Sequence, residues 1–368
     1  MLSLRPLLLI WLFSSAMTAH YLSKNHTLYL DSHLMYGYFY NIMRSLNQYG
    51  EPAWWFPTFQ WGIPGYLVSL IGVINASTPL FVLVGSFYWV AGLLGITLTS
   101  FLPAQIFLLC YLTPLVFLLG VWSLARQLFH SKTVVLFMIV TAAFSPAIFQ
   151  NLKDPGLLEV TGYGLLFLSS FIQFVRTGTQ KAFFGMVLML FILAVSSGFS
   201  MAVWNVWFLG MALIVPLLLN ARWRKLCQQR VKELGAAKIL CIVGGTLLCV
   251  LPKLLVFKDF KGQIIRYGMT GANYPLEKMH AGNPWQFLPS SVPGIGFRNM
   301  PGQDFTHFVV APEAFFPHPS YLGLLAVPLI LFGLSFGRPA LRGIFCGVIA
   351  AGFTVLLLGP GSPFVSMG

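Results

Sequence analysis

Nine apolar runs, each long enough to cross a lipid bilayer, are the strongest constraint on how this chain folds. A membrane helix needs about 20 mostly apolar residues. The runs lie at about 5–22, 102–124, 133–150, 158–175, 182–199, 203–220, 238–257, 321–337 and 343–360. Only 8% of the 368 residues are charged, too few to cover the surface of a soluble protein. The sequence therefore predicts an all-α, polytopic bundle of about nine transmembrane helices, with residues 1–368 forming a single transmembrane domain.

The first run has features of a secretory signal peptide. Arg5 precedes an apolar stretch, and the small residues Ser14, Ala16 and Ala19 follow near a potential cleavage point. The apolar run nevertheless continues to about Leu22, which is long enough to span a bilayer. We therefore predict an uncleaved first helix.

A further apolar segment, 66–98, is interrupted by Pro79 and by several glycines. Proline removes a helical hydrogen bond, and glycine weakens a helix interior. We predict re-entrant or interfacial helices in this segment rather than a clean span.

Basic residues cluster in alternate short loops between the runs. With the N-terminus in the cytoplasm, every short basic loop falls on the cytoplasmic side, as the positive-inside rule requires. These residues are Arg126, Lys132, Arg176, Lys181, Arg222, Arg224, Lys225, Arg230, Lys232, Lys238, Arg338 and Arg342. Orientation and contact with the lipid bilayer thus explain the formal net charge of +13, and no nucleic-acid partner is implied.

The acidic residues show the opposite distribution. All nine except Glu233 fall in, or at the mouth of, loops on the extracytoplasmic side. Two of these outer loops are large, at about 24–101 and 258–320. Two large loops that carry carboxylates on the same face of the membrane indicate a functional site on that face. The alternative is that the carboxylates only balance the lysines of the outer loops.

The first outer loop opens with Asp31, and a predicted amphipathic helix follows it. The apolar face of this helix carries Met35, Phe39, Ile42 and Leu46, and the residues turned away are Asn41, Arg44 and Asn47. Such a helix would lie in the membrane interface with its apolar side down. Asp31 at its N-terminus is either a chemically active carboxylate or a helix cap, because Asp is a favoured N-cap residue.

Aromatic and cationic side chains mark the rest of the outer loops. Residues 54–61 hold three tryptophans and two phenylalanines, which can stack on a sugar ring or anchor the loop at headgroup level. The second outer loop holds Lys258, Lys261, Arg266, Arg298, His307 and His318. These side chains can bind a lipid phosphate, or they are ordinary solvated residues. The histidines lack the spacing of a metal-binding motif.

The predicted spans hold almost no ionisable residues away from their ends. Ion-coupled transporters place such residues at mid-membrane depth. A proton-coupled or sodium-coupled carrier is therefore disfavoured, whereas a carrier of a neutral substrate remains open. No P-loop, Rossmann or GxSxG motif is present either.

Three stretches, taken in their order along the chain, match a known arrangement. The first runs from Asp31 through the following helix to residues 50–55 (Gly-Glu-Pro-Ala-Trp-Trp) and 62–64 (Gly-Ile-Pro). The second is 315–324 (Phe-Phe-Pro-His-Pro-Ser-Tyr-Leu-Gly-Leu), and the third is 356–363 (Leu-Leu-Leu-Gly-Pro-Gly-Ser-Pro). In these stretches the chain resembles the YfhO-like bacterial membrane proteins, which belong with the GT-C glycosyltransferases.

The resemblance implies a GT-C-like bundle whose first outer loop carries a catalytic carboxylate, here Asp31. It also points to the loop between the third and fourth spans, which holds Lys153, Asp154 and, at its edge, Glu159. The implied donor is a sugar on polyprenyl phosphate, and the implied acceptor is an envelope polymer such as lipoteichoic acid. Transfer would occur on the extracytoplasmic face of the bacterial cytoplasmic membrane.

The chemistry assigns roles within this resemblance. Asp31 is the candidate base for the incoming hydroxyl, with Asp154 as a second candidate carboxylate. The leaving lipid phosphate needs stabilisation, for which Lys153, Arg298 and His318 are the candidates. No paired acidic motif accompanies Asp31, so a divalent metal ion is a conceivable cofactor that the sequence does not require.

Two other functions remain open: a transporter or flippase of lipid-linked glycans, and a non-catalytic scaffold for envelope assembly. An enzyme depends on one outer carboxylate, a flippase moves its substrate without bond cleavage, and a scaffold tolerates loss of every carboxylate. The YfhO-like proteins are longer than this chain, and the sequence ends just after an apolar run. We therefore expect it to be the N-terminal part of a longer protein.

Overall fold

The computed structural model describes residues 4–25, 30–51, 55–56, 63–64, 79–145, 148, 157–196, 199–260 and 346. Its helices are α1 (Arg5–Asn25), α2 (Leu30–Tyr49), α3 (Pro79–Leu93), α4 (Leu102–Ile106), α5 (Thr113–Leu128), α6 (Lys132–Ala143), α7 (Leu157–Thr177), α8 (Gln180–Ser196), α9 (Phe199–Leu219) and α10 (Ala221–Phe260). A π-helical segment, Phe107–Leu112, joins α4 to α5. Two antiparallel strands of two residues each, β1 (Trp55–Phe56) and β2 (Ile63–Pro64), pair within the aromatic part of the first outer loop.

The predicted helical architecture is confirmed in its general form. Among the described residues, three helices are long and apolar enough to cross a membrane: Phe107–Leu128, Leu158–Thr177 and Ala221–Leu251. Shorter apolar helices are Pro79–Leu93, Lys132–Ala143, Gln180–Ser196 and Leu209–Leu219. Each of the first seven predicted runs coincides with a helix, whereas the runs at 321–337 and 343–360 lie outside the described residues apart from Cys346. The apolar helices indicate a lipid bilayer environment.

Helix α6 is shorter than the apolar run that predicted it. The run covers about 133–150, but α6 ends at Ala143. Two residues after Ala143, Ser145 precedes Pro146, and the helical conformation is disfavoured for a residue that precedes proline. The 12 residues of α6 extend only about 18 Å, less than the roughly 30 Å of a hydrocarbon core.

The chain divides into two compact units. One comprises Met1–Asn205 with Gln229–Asp259, and the other comprises Val206–Gln228 with Phe260–Gly368. The contacts described below belong to the first unit.

Helices α5 and α7 pack so closely that their backbones touch. A Cβ atom on Gly162 would lie 2.8 Å from the backbone nitrogen of Phe117, and one on Gly120 would lie 2.6 Å from the carbonyl oxygen of Gly162. Ser123 and Ser169 form a 2.7 Å hydrogen bond across the same helix pair. Small residues and bonded hydroxyls are the features that hold helix pairs together in lipid.

Helix α1 packs against α5, α6 and the π-helical segment. Leu7 is fully buried in an apolar cluster with residues of α5 and α6. Trp11 Nε1 donates a 2.8 Å hydrogen bond to the carbonyl oxygen of Tyr111. Thr113 Oγ1 likewise donates to the carbonyl oxygen of Leu108 at 2.8 Å, so side chains supply partners where the helical hydrogen-bond pattern is irregular.

Helix α10 consists of two helical parts that meet at Gly235. The φ and ψ angles of Gly235, 73° and 159°, are non-helical, and glycine alone adopts this conformation at low cost. The basic part before Gly235, predicted only as a cytoplasmic loop, is helical, and the part after Gly235 contains the predicted run 238–257.

Candidate functional site

Asp31 is the second residue of α2, which places it in the first turn of that helix, as predicted. The amphipathic helix predicted after Asp31 is present from Leu30 to Tyr49. The other predicted site residues, Lys153, Asp154, Arg298 and His318, lie outside the described residues. What the structure describes is the framework that holds α2.

An apolar cluster packs α2 against α3. Its buried members are Ile42, Met43, Phe81, Val84, Tyr88, Phe101 and Leu108. The ring of Phe101 meets the ring of Tyr40 edge-on at 4.9 Å and lies 5.1 Å from the ring of Tyr88. Phe101 directly precedes α4, and Leu108 belongs to the π-helical segment. The cluster therefore attaches the α2–α3 pair to the chain that leads into α5.

Asn47 fixes the end of α3 with three hydrogen bonds. Its Nδ2 donates to the carbonyl oxygens of Tyr88 and Ile96, both at 3.0 Å, and its Oδ1 accepts from the N–H of Leu98 at 2.9 Å. The side chain is 5% exposed. The prediction that Asn47 turns away from the apolar face is wrong. Backbone groups around the end of α3 that are buried away from water need hydrogen-bond partners. The side-chain amide of Asn47 bonds three of them.

Two glycines allow α3 to approach α2 and to end where it does. A Cβ atom on Gly92 would overlap the backbone carbonyl of Asn47. Gly95 has a φ of 73° and closes α3 with two hydrogen bonds, from its own N–H to the carbonyl of Gly92 and from the Ile96 N–H to the carbonyl of Ala91. This is the Schellman pattern of helix ends. The glycines that interrupt the apolar run in sequence thus shape the α2–α3 contact.

The length of α3 agrees with a helix that does not cross the bilayer. Its 15 residues extend about 22 Å, whereas the hydrocarbon core is about 30 Å thick. Val82 and Phe87 on this helix are 53% and 65% exposed. Helix α3 therefore pairs one face with α2 and exposes apolar side chains on another.

A buried carboxylate joins α3 to α7. Glu159 lies in the first turn of α7 and is 3% exposed. Its Oε1 accepts a hydrogen bond from the N–H of Leu80 at 3.4 Å and another from the hydroxyl of Tyr163 at 2.9 Å. Helix α3 begins with Pro79, which has no N–H, so Leu80 carries the first N–H that needs a partner. A negative charge at a helix N-terminus also stabilises the helix dipole.

These contacts give Glu159 a structural role. A buried carboxylate is stable only with donors, and Leu80 and Tyr163 are two of them. Tyr163, 5% exposed, lies one turn along α7, so the two side chains meet on the same helix face. Oε1 of Glu159 thus accepts one hydrogen bond from α3 and one from α7. Glu159 therefore has a structural role: it connects the start of α7 to the start of α3.

Metal ligands do not gather in the described part of the chain. Within residues 4–260, gaps excepted, no three His, Cys, Asp or Glu side chains lie close enough together to hold an ion. Comparison with known proteins adds no relative: no family model, curated protein or solved structure matches the chain.

Proposed function

We propose that the chain is a GT-C-type membrane glycosyltransferase. It moves a sugar from a polyprenyl-phosphate donor to an acceptor polymer or glycan of the cell envelope. In this proposal residues 1–368 contain about nine spans, lie in the bacterial cytoplasmic membrane with the N-terminus in the cytoplasm, and belong to an enzyme that works on the extracytoplasmic face.

The observation that carries the proposal is the attachment of α2, the helix that carries Asp31 in its first turn. Asn47 and an apolar cluster join α2 to α3, and Glu159 joins the start of α3 to α7. A catalytic carboxylate must be held within a fraction of an ångström of its working position, which requires a braced support. A loop that only rested on the membrane surface would need no such bracing.

The distribution of charge along α7 supports an outer position for the α2–α3 pair. Glu159, which binds α3, and Arg176, in the last turn, are separated by 17 positions on this helix, or about 26 Å. The connections at 129–131 and 178–179, flanked by basic residues, lie at the Arg176 end. Under the positive-inside rule that end faces the cytoplasm, so the α2–α3 pair faces outward.

The proposed reaction needs a base and a stabilised leaving group. Asp31 takes the proton of an acceptor hydroxyl while the hydroxyl oxygen attacks the anomeric carbon of the donor sugar. The bond between that carbon and the phosphate oxygen breaks, and polyprenyl phosphate leaves with the electron pair. Lys153, Arg298 and His318 stabilise the phosphate, and Asp154 is a second carboxylate near the sugar. A lipid-borne donor also accounts for an enzyme without a nucleotide-binding motif.

Reconstituted full-length protein tests the proposal against its alternatives. Vesicles that contain the protein and a polyprenyl phosphate carrying a labelled sugar would report bond cleavage and lipid movement separately. We expect cleavage with transfer of label to a polymer acceptor, and dependence of that cleavage on Asp31. Movement of the intact lipid without cleavage would identify a flippase, and neither event would identify a scaffold.

A further inference from the structure

Six cations lie at, or within a few residues of, the helix ends that Arg176 and Arg230 join, away from the Glu159 end of α7. They are Arg126, Lys132, Arg176, Lys181, Arg230 and Lys232, and we call them the basic end. Three of the six belong to α5, α6 and α7, a fourth is near the start of α8, and two are in the basic part of α10. They come from five helices, and all six belong to the basic loops that the sequence predicts on one membrane face.

Two arginines hold these helix ends to one another. Arg176 Nη1 donates to the carbonyl oxygen of Gln127 at 2.6 Å, and Arg230 Nε donates to the carbonyl oxygen of Val175 at 3.2 Å. Carbonyl groups in the last turn of a helix lack partners within it, and a cation there is favoured by the helix dipole. A Cβ atom on Gly178 would lie 2.5 Å from Arg230 Nη1, so the guanidinium sits directly over the α7–α8 connection. The basic end is therefore a braced surface.

The lysines of this surface carry charge that is not compensated within the described part of the chain. Glu233, the acidic residue in the basic part of α10, pairs with Arg230. Lys132, Lys181 and Lys232 are exposed, and they form no ion pair with any described residue. The three exposed ammonium groups are therefore available to bind an external anion.

Exposed apolar side chains begin next to these lysines. On α6, Val134 and Phe137 are 37% and 48% exposed, and on α8, Phe184 and Leu188 are 65% and 54% exposed. A bilayer offers this combination of partners, with acyl chains beside a layer of phosphate groups. Lysine fits the boundary well, since its aliphatic stem lies along apolar surface while its ammonium group reaches the headgroups. A soluble anion would leave the apolar side chains without a partner.

We propose that the basic end is a binding surface for anionic phospholipid headgroups. Lys132, Lys181 and Lys232 contact the headgroup phosphates, and Arg176 and Arg230 hold the helix ends that present them. The occupant is the anionic lipid of the surrounding membrane. This inference does not rest on glycosyl transfer, and it holds for an enzyme, a flippase or a scaffold.

The test uses the full chain in nanodiscs that contain equal amounts of phosphatidylglycerol and phosphatidylcholine. The lipids that stay bound after gentle release into detergent are counted by native mass spectrometry. A cation near an anionic surface contributes about fivefold in affinity, so three contribute roughly 100-fold at low ionic strength. We expect the wild type to enrich phosphatidylglycerol, the triple variant Lys132→Gln, Lys181→Gln, Lys232→Gln to lose that enrichment, and the matching triple Lys→Arg variant to keep it.

Three results would overturn the proposal. Equal enrichment of phosphatidylglycerol by the wild type and the triple Gln variant would show that these lysines do not select anionic lipid. Displacement of the bound lipid by millimolar inorganic phosphate would show a site for a soluble anion. Lower thermal stability of the Gln variant in pure phosphatidylcholine would show that the lysines act in folding, and we expect unchanged stability there because all three side chains are exposed.

Discussion

The carboxylate of Glu159 accepts a hydrogen bond from the backbone N–H of Leu80, so the start of α7 caps the start of α3. The two residues are 79 positions apart, and the bond joins the first outer loop to the helix bundle. Helix α3 in turn holds α2 through Asn47. A short series of contacts thus runs from α7 to α2, the helix that carries Asp31 in its first turn.

Glu159→Ala should destabilise the protein more than Glu159→Gln. The alanine variant leaves the Leu80 N–H and the Tyr163 hydroxyl without this acceptor, at about 1–3 kcal/mol for each buried donor. Glutamine keeps an acceptor oxygen at the same reach, so we expect a loss of about 1 kcal/mol from the weaker, uncharged hydrogen bonds. Unfolding of the purified variants in mixed micelles measures both losses. Equal stability of Glu159→Ala and wild type would remove the proposed tie between α3 and α7.

Asn47→Ala should loosen α3 from α2. Its three hydrogen bonds have no replacement, and the Leu98 N–H becomes an unsatisfied donor that costs about 1–3 kcal/mol. The neighbouring substitution Gln48→Ala is the control, because Gln48 is exposed and, among the described residues, its side chain bonds only Arg44. Such surface substitutions change stability by less than about 0.5 kcal/mol. Similar effects of the two substitutions on unfolding would contradict the role of Asn47.

Gly162→Ala should separate α5 from α7. The new methyl group would press on backbone atoms of Phe117, which cannot rotate away as a side chain can. Overpacking of this kind costs about 1–3 kcal/mol. Gly244→Ala in α10 is the matched control, since nothing lies within 4 Å of its added Cβ and alanine favours a helix by about 1 kcal/mol over glycine. A Gly162→Ala variant as stable as Gly244→Ala would show that the close backbone contact is absent.

Labelling of two introduced cysteines tests the orientation of the chain in the membrane. In a background without native cysteines, a cysteine in place of Ser290 should react with an impermeant thiol reagent from outside. One in place of Gln228, which is exposed in the basic part of α10, should react only after the membrane is opened. The prediction rests on basic residues that alternate between loops. Reaction of both cysteines from the same side would reverse the assignment of the outer face.

The helices were predictable because their signal is local. Apolar runs of about 20 residues mark membrane helices whatever their neighbours do, and the apolar period after Asp31 located α2. The proline after Ser145 should have shortened the predicted third span, since its effect on the preceding residue is also local.

The contacts that hold α2 and α3 were not predictable in the same way. No pattern in the sequence pairs Leu80 with Glu159. In the sequence, Asn47 looks like an ordinary residue on the polar side of an amphipathic helix. Its burial follows from the backbone groups that α3 presents to it, which exist only in the folded chain. For the basic end, the alternation of basic loops predicted that its cations share one membrane face, but not that Arg176 and Arg230 hydrogen-bond the ends of neighbouring helices there.

Transfer of a sugar from polyprenyl phosphate by wild type, Asp31→Asn and the control Glu51→Gln, all in the full-length protein, is the most direct test. In the first turn of α2, asparagine keeps the size of the aspartate and gives up only the interaction of its charge with the helix dipole, about 0.3–1 kcal/mol, so expression, insertion and stability should stay close to those of the wild type. The amide cannot accept a proton near neutral pH, so we expect the transfer rate of Asp31→Asn to fall by about 100- to 10,000-fold. Glu51 is exposed just after α2, and Glu51→Gln should retain wild-type transfer. Transfer by Asp31→Asn within a few-fold of the wild-type rate would contradict the proposal and leave Asp31 as a structural residue of α2.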